Sequence, residues 1–405
     1  MIDKLNTKSL SYILICNMIG SGIFFVEPMI LQITKAIIPS LLCWIIAGLI
    51  SLLLGLCYSE LGSRFPEEGG DLIYLSKAYN IYLSHFFSLI SLIIILPCGC
   101  SIMCKTILEY VSGDDIFNTI VIILLLCLIN ILGSKFTFRV QYVLTVLKVI
   151  LFAIFVSFAI YSFLFIPRSK SSALFDPKGK LSNSSNLYDL MLGLFLCLWP
   201  YDGWNSGNFM GHRIANPRKT LPYSITFSIL FVMMIYLLTN ISLLYVLPYD
   251  TFLENSPNNK GIMVAYLKEF NIPENITNIL TRLLVIIPSF GTLNGSTMVG
   301  VNILMGVMGK LKIKGKHSIQ RIISIILFCF LTLIFTFVKE RIKLIKNISF
   351  FTFIFYGLSV SSIFILRKKY NSDVKPYKTN IFVLLISIFL CFSLFSFAIF
   401  NTFSK

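Results

Sequence analysis

The sequence predicts an all-α polytopic membrane protein with about eleven transmembrane helices, organised as five-plus-five inverted repeats in which helices 1 and 6 are broken. Three observations predict this fold. The 405 residues are 56% apolar and 13% charged, with a mean hydropathy of +0.84, whereas a soluble domain carries about 25% charged residues. The apolar residues form long runs. Two of those runs are interrupted by glycine and proline at matching positions.

Eleven apolar runs are long enough to cross a hydrocarbon core, which takes about 20 helical residues. Basic residues concentrate in alternate loops, which predicts a cytoplasmic amino terminus. The basic stretch 339–346 is an exception, because it falls on the outer side. We expect an integral, multi-pass protein of the plasma membrane. The runs cover residues 9–33, 39–62, 76–104, 116–134, 138–166, 187–211, 221–247, 277–309, 319–338, 347–366 and 380–402.

Composition and motifs exclude several classes of protein. The net charge of +16 comes from short basic blocks between apolar runs, so membrane topology explains it and no nucleic-acid partner is expected. No catalytic motif or paired catalytic carboxylate is present, and an enzyme is not expected. The ten cysteines fall in or beside apolar runs and are expected to pack as small hydrophobes. No metal or other cofactor is predicted.

The first break is Gly20-Ser21-Gly22, in the middle of the first apolar run. Unwound backbone inside a membrane is tolerated only where it is buried in protein or lines a wet cavity. The break leaves backbone N–H groups free at the start of the half-helix that follows, where the helix dipole is positive. This end suits an anion such as a carboxylate. The alternative is helix–helix packing through small residues.

The second break is Pro200-Tyr201-Asp202-Gly203-Trp204-Asn205, in the sixth run. It exposes carbonyls around Trp199 and Pro200, which can accept hydrogen bonds from an ammonium group. A carboxylate and an ammonium on one small molecule make an α-amino acid. Matching breaks in two halves are typical of a transporter's binding site. Each break opens a block of five spans, so 1–166 and 187–366 form inverted repeats of one transmembrane domain, with 380–402 as an extra helix.

Five polar or aromatic residues are further candidates. Asp202 lies at mid-membrane depth, where it contacts substrate or gates access, or else caps the second half of its span. Trp199 closes over the ligand or is an ordinary core aromatic. Lys148, deep in the fifth span, is a fixed or protonatable cation that couples transport, or a structural donor to the first broken helix. Ser289 and Asn294 line the same cavity, or Asn294 instead forms hydrogen bonds between helices.

These motifs resemble the amino acid–polyamine–organocation superfamily, and in particular its L-type amino-acid transporter branch, which contains the light chains of heteromeric amino-acid exchangers. The match extends from about residue 9 to residue 380. The residues that carry it are Asn17-Met18-Ile19-Gly20-Ser21-Gly22-Ile23-Phe24, Glu60 through Tyr74, Trp199 through Asn205, Asn216-Pro217-Arg218-Lys219 and Ser289 through Gly295.

The resemblance implies a sodium-independent amino-acid transporter or exchanger that works by alternating access. The substrate carboxylate would bind amides near Ser21 and Gly22, and its ammonium the carbonyls of Ile19 and Trp199. Lys148 would take the place of a sodium ion. An aspartate at position 202 favours cationic, or cationic and neutral, L-amino acids. The alternatives are a membrane amino-acid sensor that does not transport, or a polyamine or organic-cation carrier, although no extra acidic group is apparent near Asp202 in the core spans.

Three departures from the family pattern change what is expected. Residues 109–118 contain no cysteine, which argues against a disulfide-linked heavy chain. Relatives have an acidic pair where this chain has Gly211-His212, and an arginine where this chain has a residue near Asn302. Because both groups are missing here, the pairing between them at the inner gate, and with it the coupling of transport, is expected to differ. Most of the family has twelve spans rather than eleven, a difference outside the repeat core.

Overall fold

A computed structural model of the chain describes residues 4–111, 116–165, 172–175, 186–254, 260–312, 315–337, 341–370 and 376–403. Within these ranges the protein is almost entirely helical, and the only β pairs are isolated bridges. The predicted all-α class is confirmed. The basic stretch 339–346 lies outside the described side chains, and the cytoplasmic amino terminus stays a prediction.

Besides two short 3₁₀ turns at Ala173–Phe175 and Gly211–Arg213, sixteen α-helices are found in the described ranges. They are α1 (Thr7–Met18), α2 (Gly22–Thr34), α3 (Ile37–Arg64), α4 (Asp71–Ala78), α5 (Ile81–Val111), α6 (Ile116–Ile131), α7 (Ser134–Phe165), α8 (Leu187–Tyr201), α9 (Ser206–Phe209), α10 (Pro217–Val246), α11 (Tyr249–Glu254), α12 (Lys260–Lys268), α13 (Glu274–Lys310), α14 (His317–Thr336), α15 (Arg341–Lys369) and α16 (Ile381–Phe403).

Eight of the described helices are long and apolar enough to span a membrane, and the pair α1 and α2 makes a ninth span with a bend of 48°. The shorter apolar helices α6 and α8 occupy the fourth and sixth predicted spans. The chain is therefore a polytopic membrane protein, while the count of eleven stays a prediction. Both expected breaks are present, since α1 and α2 are separated at 19–21 and α8 and α9 at 202–205.

The third span begins later than expected. Residue 76 belongs to the short helix α4, which ends at Ala78, and the membrane-spanning helix α5 begins at Ile81. Asn80 separates the two helices, because its backbone is extended and its side chain accepts a hydrogen bond of 2.8 Å from the Leu83 amide. An asparagine in this N-cap position starts a new helix.

One face of α3 illustrates how the protein meets lipid. Ile38, Leu42, Ile46 and Leu49 are all exposed, and they recur at helical spacing. Trp44, on the opposite face, is buried. An exposed apolar stripe on a helix of this length fits contact with the acyl chains of a bilayer.

The first broken helix lies at the centre of the bundle, because α1 packs against α7, α10 and α13. Helix α8 in turn packs against α2 and α3. The two breaks consequently face each other inside the protein rather than facing lipid.

A buried ion pair stabilises one end of the bundle. The fully buried Glu60 carboxylate accepts hydrogen bonds of 2.8 and 2.7 Å from Arg367 and a third of 2.8 Å from the Thr379 amide. Arg64, one turn along α3, lies 3.3 Å away. This carboxylate is satisfied by protein groups, which fits a structural role for the segment that begins at Glu60.

Candidate functional site

The first break separates two half-helices around Ser21. Helix α1 ends at Met18, and the Ile19 backbone is extended. Helix α2 begins at Gly22 without a side-chain cap, so no side chain of the cap residue accepts from the backbone N–H groups at its positive end. Ser289 donates a hydrogen bond of 2.8 Å to the Ser21 hydroxyl. This bond ties α13 to the break itself.

Lys148 caps the carboxyl end of α1. Its side chain is fully buried, and its ammonium donates hydrogen bonds of 2.6 Å to the carbonyls of Cys16 and Ile19. The helix dipole places negative charge at this end, and the buried ammonium supplies a positive charge beside it. A side chain at Gly291 would lie 2.6 Å from the ammonium, which explains the glycine at that position.

The Ile19 carbonyl is already engaged in this conformation. Besides Lys148, the Thr292 hydroxyl donates to it at 3.1 Å. A carbonyl oxygen has two lone pairs. A substrate ammonium would therefore need one of these donors to move before it could bind Ile19 as the family resemblance implies.

The second break depends on the backbone conformation of Gly203. Its φ of +113° is disfavoured for residues with a side chain, and a Cβ there would lie 3.1 Å from the Asn17 backbone carbonyl carbon. The two breaks are in direct contact at this point. Tyr236 of α10 joins them further, since its hydroxyl lies 2.9 Å from the carbonyls of both Met18 and Pro200.

An internal cavity of about 120 Å³ lies between the breaks, which is room for several water molecules. Of the residues predicted from sequence, it brings together Gly20, Gly22, Trp199, Pro200, Asp202 and Gly203. The other predicted residues do not line it in this conformation. These are Ile19, Ser21, Lys148, Ser289 and Asn294.

Trp199 covers the amino end of α2. Its ring lies 2.9 Å from the position that a Cβ of Gly22 would take, and its centroid is 5.6 Å from that of Phe25. The ring is half-buried and lines the cavity. This position is compatible with a lid over a ligand at Gly22, and it also explains why residue 22 has no side chain.

Asp202 is held by a tyrosine. Tyr356 of α15 donates a hydrogen bond of 2.6 Å to its carboxylate, and Asn205 donates one of 3.0 Å to the same hydroxyl. Both donors are neutral, and no described residue that lines the cavity carries a basic side chain. The Asp202 side chain therefore faces a cavity whose described lining holds no cationic partner for it.

Asp71 is a second carboxylate in the cavity lining, which the sequence reasoning missed. It accepts hydrogen bonds of 2.6 Å from Tyr58 and 2.5 Å from Ser359. Ser359 lies one turn beyond Tyr356, the partner of Asp202, on the same helix. The sequence predicts no extra acidic group near Asp202 within the core spans. Asp71 lies outside those spans, because it begins the short helix before the third span. Its only signal was the preceding pair Gly69-Gly70, which turns the chain inward with positive φ.

Asn294 belongs to a buried polar network rather than to the cavity. Its amide donates to Gln141 at 2.7 Å, and its carbonyl accepts from Asn130 at 2.9 Å. Gln141 continues the network to Asn17 at 2.7 Å. Asn17 lines the cavity, and its Nδ2 is a buried donor with no acceptor among the described residues. Such a donor is costly unless a ligand or water accepts from it.

The segment after the second broken helix carries a basic residue. Arg213 donates a hydrogen bond of 3.1 Å to His212. Burial raises the pKa of Glu68, and Arg213 and Arg321 oppose this shift. Glu68 is thus an acidic side chain beside Arg213, in a region where the expected acidic pair is absent.

Comparisons with known proteins find relatives over most of the chain. A family profile described as "Amino acid permease" matches residues 5–404. The b(0,+)-type amino acid transporter 1 of Homo sapiens is 28% identical over 410 residues, covering 93% of this chain and 80% of the relative. The protein of the same name from Mus musculus is 26% identical with the same coverage. The large neutral amino acids transporter small subunit 2 of Homo sapiens is 25% identical, covering 95% of this chain and 74% of the relative.

Proposed function

Because the chain belongs to the amino acid permease family, whose profile matches residues 5–404, we propose that it transports or exchanges cationic and neutral L-amino acids by alternating access. The substrate sits between the two broken helices. Its carboxylate binds near Gly20, Ser21 and Gly22, where the open end of α2 is positive. Trp199 closes over it.

The observation that carries the proposal is the uneven distribution of polar groups around the cavity. Donors lie at the first break, where the amino end of α2 is joined by the unsatisfied Asn17 amide. Two carboxylates, Asp71 and Asp202, face the same space, and its described lining holds no basic side chain. A buried carboxylate without a cation is costly. A dibasic amino acid supplies an anion for the first break and a cation for the carboxylates.

Lys148 supports sodium independence in this proposal. A fixed ammonium at the carboxyl end of α1 already supplies the positive charge that a bound sodium ion would bring, at 2.6 Å from two carbonyls. Transport of amino acids therefore needs no sodium gradient. The alternative structural role of Lys148, holding the end of α1, uses the same two hydrogen bonds, and a variant is needed to separate the two roles.

The wider organisation belongs to the same proposal. Residues 1–166 and 187–366 act as inverted repeats that rock about the site, and helix 380–402 lies outside them. The protein resides in the plasma membrane with a cytoplasmic amino terminus. It functions without a disulfide-linked heavy chain, since 109–118 lack cysteine and Cys104 is buried.

Uptake of labelled arginine, leucine and cystine into proteoliposomes tests the proposal, with and without amino acid inside. We expect uptake that is faster with internal amino acid and unchanged when choline replaces sodium. Binding without flux of any of the three would favour the sensor alternative and overturn the transport proposal. Uptake of 1,4-diaminobutane in preference to arginine would favour the organic-cation carrier, for which the second carboxylate, Asp71, is the supporting observation.

A further inference from the structure

A second, larger concavity lies away from the breaks, at the end of the bundle where the chain begins. It has a volume of about 800 Å³ and lies among the start of α1, the end of α6 and the start of α7. We call it the basic groove. It is lined by Lys4, Leu5, Asn6, Lys8, Ser9, Tyr12, Ile13, Leu132, Gly133, Ser134, Lys135, Phe138, Arg139, Tyr142 and Arg213.

Five cationic side chains from three separate parts of the chain line the basic groove. None of its described lining residues carries a carboxylate. Glu68 offsets part of the charge of Arg213, whereas Lys4, Lys8 and Arg139 concentrate like charge around one concave space, which costs free energy and creates a positive potential there. A general excess of basic residues on one side of the membrane would spread over the loops. Convergence around a single concavity instead favours a bound anion. The cations are Lys4, Lys8, Lys135, Arg139 and Arg213.

The walls of the basic groove are held in place by contacts within the protein. The Leu5 amide donates to the Arg213 carbonyl at 2.7 Å, and the Ala215 amide donates back to Leu5 at 2.8 Å. The Tyr12 and Tyr142 rings pack edge to face with centroids 4.8 Å apart. The Arg213 guanidinium lies 5.7 Å above the Phe138 ring. The walls of the groove are therefore fixed by contacts within the protein.

The surroundings of the groove identify the kind of anion. Leu132 and Tyr142 in its lining are exposed, and so are Phe136 and Val143 directly beside it. Along α7 the exposed apolar face continues through Leu147 and Ile150. A free phosphate would use only the cations. A phospholipid uses both features, with its headgroup among the cations and its acyl chains along α7.

We propose that the basic groove binds the headgroup of an anionic phospholipid from the leaflet on the amino-terminal side. Basic pockets between spans at a membrane surface suit such headgroups. The lipid bridges the start of α1, the start of α7 and the segment after the second broken helix through Arg213. It thereby stabilises the arrangement in which the amino-terminal segment is tied to residue 213.

Binding of short-chain lipids to the purified full-length protein in detergent tests the proposal by native mass spectrometry. The probes are dioctanoyl phosphatidylinositol bisphosphate, dioctanoyl phosphatidylcholine and inorganic phosphate. We expect the inositol lipid to bind at least tenfold more tightly than phosphatidylcholine, and its affinity to fall as salt rises. Inorganic phosphate at the same concentration should not displace it.

A matched pair of double variants locates the site. Each basic residue near an anionic surface contributes a factor of about five in affinity. Lys8→Gln with Arg139→Gln should therefore weaken binding of the inositol lipid by about 25-fold. Lys310→Gln with Lys312→Gln removes the same charge outside the groove and should change affinity less than threefold. All four residues lie at or near the surface, and melting temperatures should confirm that both variants fold.

Three results would overturn the proposal. Equal affinity for the inositol lipid and phosphatidylcholine would show that binding does not depend on the negative charge of the headgroup. Equal loss in both double variants would show only a general electrostatic effect. Displacement of the lipid by inorganic phosphate would show a free-anion site. None of these results depends on amino-acid transport, so the proposed function is tested separately.

Discussion

Lys148 donates a hydrogen bond of 2.6 Å to the Ile19 carbonyl, at the point where the first membrane helix breaks. We predict that Lys148→Gln lowers exchange of leucine and arginine alike by more than tenfold, because the amide keeps a donor but loses the charge. The lost charge-assisted bonds are worth about 1.5–3 kcal/mol each. Proteoliposome exchange assays measure the loss.

Thr292→Val provides the comparison for Lys148. Thr292 donates to the same Ile19 carbonyl at 3.1 Å but carries no charge. If both variants lose exchange to the same extent, the carbonyl needs only donors, and the role of Lys148 as a substitute for sodium is wrong.

Gly203→Ala should inactivate the protein. Its φ of +113° and the 3.1 Å approach of a Cβ to Asn17 make any side chain strained, at a cost of about 1–3 kcal/mol. Because the contact joins the two breaks, we expect both a lower melting temperature and loss of exchange. Gly309→Ala is the control, since its Cβ would meet no atom within 4 Å. It should not lower the melting temperature.

Selectivity for arginine over leucine should depend on pH. Burial raises the pKa of Asp71 to about 6, so the empty site holds a neutral Asp71 below that pH and a carboxylate above it. A cationic substrate gains affinity when the carboxylate forms, whereas leucine does not. The ratio of arginine to leucine exchange should therefore rise between pH 5 and pH 7.5. Asp71→Asn should reduce that rise, and Glu67→Gln, an acid outside the cavity lining, should preserve it.

Asp202→Gly should weaken arginine exchange more than leucine exchange, by about tenfold or more, because a charge-assisted hydrogen bond to the substrate is lost. Tyr356→Phe removes the 2.6 Å donor to Asp202 but leaves the charge. Tyr356→Phe should therefore change the ratio of arginine to leucine exchange less than Asp202→Gly does. Equal loss of both substrates in Asp202→Gly would contradict a role in selectivity.

Arg367→Met should destabilise the protein by about 3–5 kcal/mol, because it leaves the buried Glu60 with too little positive charge. Thermal unfolding in detergent measures the effect. Lys368→Gln is the control, since Lys368 is the exposed neighbour on the same helix. Similar melting temperatures for the two variants would contradict the assignment of Glu60 and Arg367 as a stabilising pair.

The breaks and the buried lysine could be predicted from sequence because their signals are local. Glycine and proline interrupt apolar runs at positions 20–22 and 200–203, and a lysine inside a span must find an acceptor. Asp71 could not be predicted, since its approach to the cavity depends on packing between α4 and α15, which are almost 300 residues apart. The engagement of the Ile19 carbonyl by Thr292 likewise depends on how α13 packs against α1.

The most direct measurement is the ratio of arginine to leucine exchange in proteoliposomes at pH 7.5 for the wild-type protein and for the double variant Asp71→Asn with Asp202→Asn. The two carboxylates face one cavity whose described lining holds no basic side chain. We predict that the double variant still exchanges leucine while its ratio of arginine to leucine exchange falls by well over tenfold. An unchanged ratio, with leucine exchange intact, would contradict this prediction.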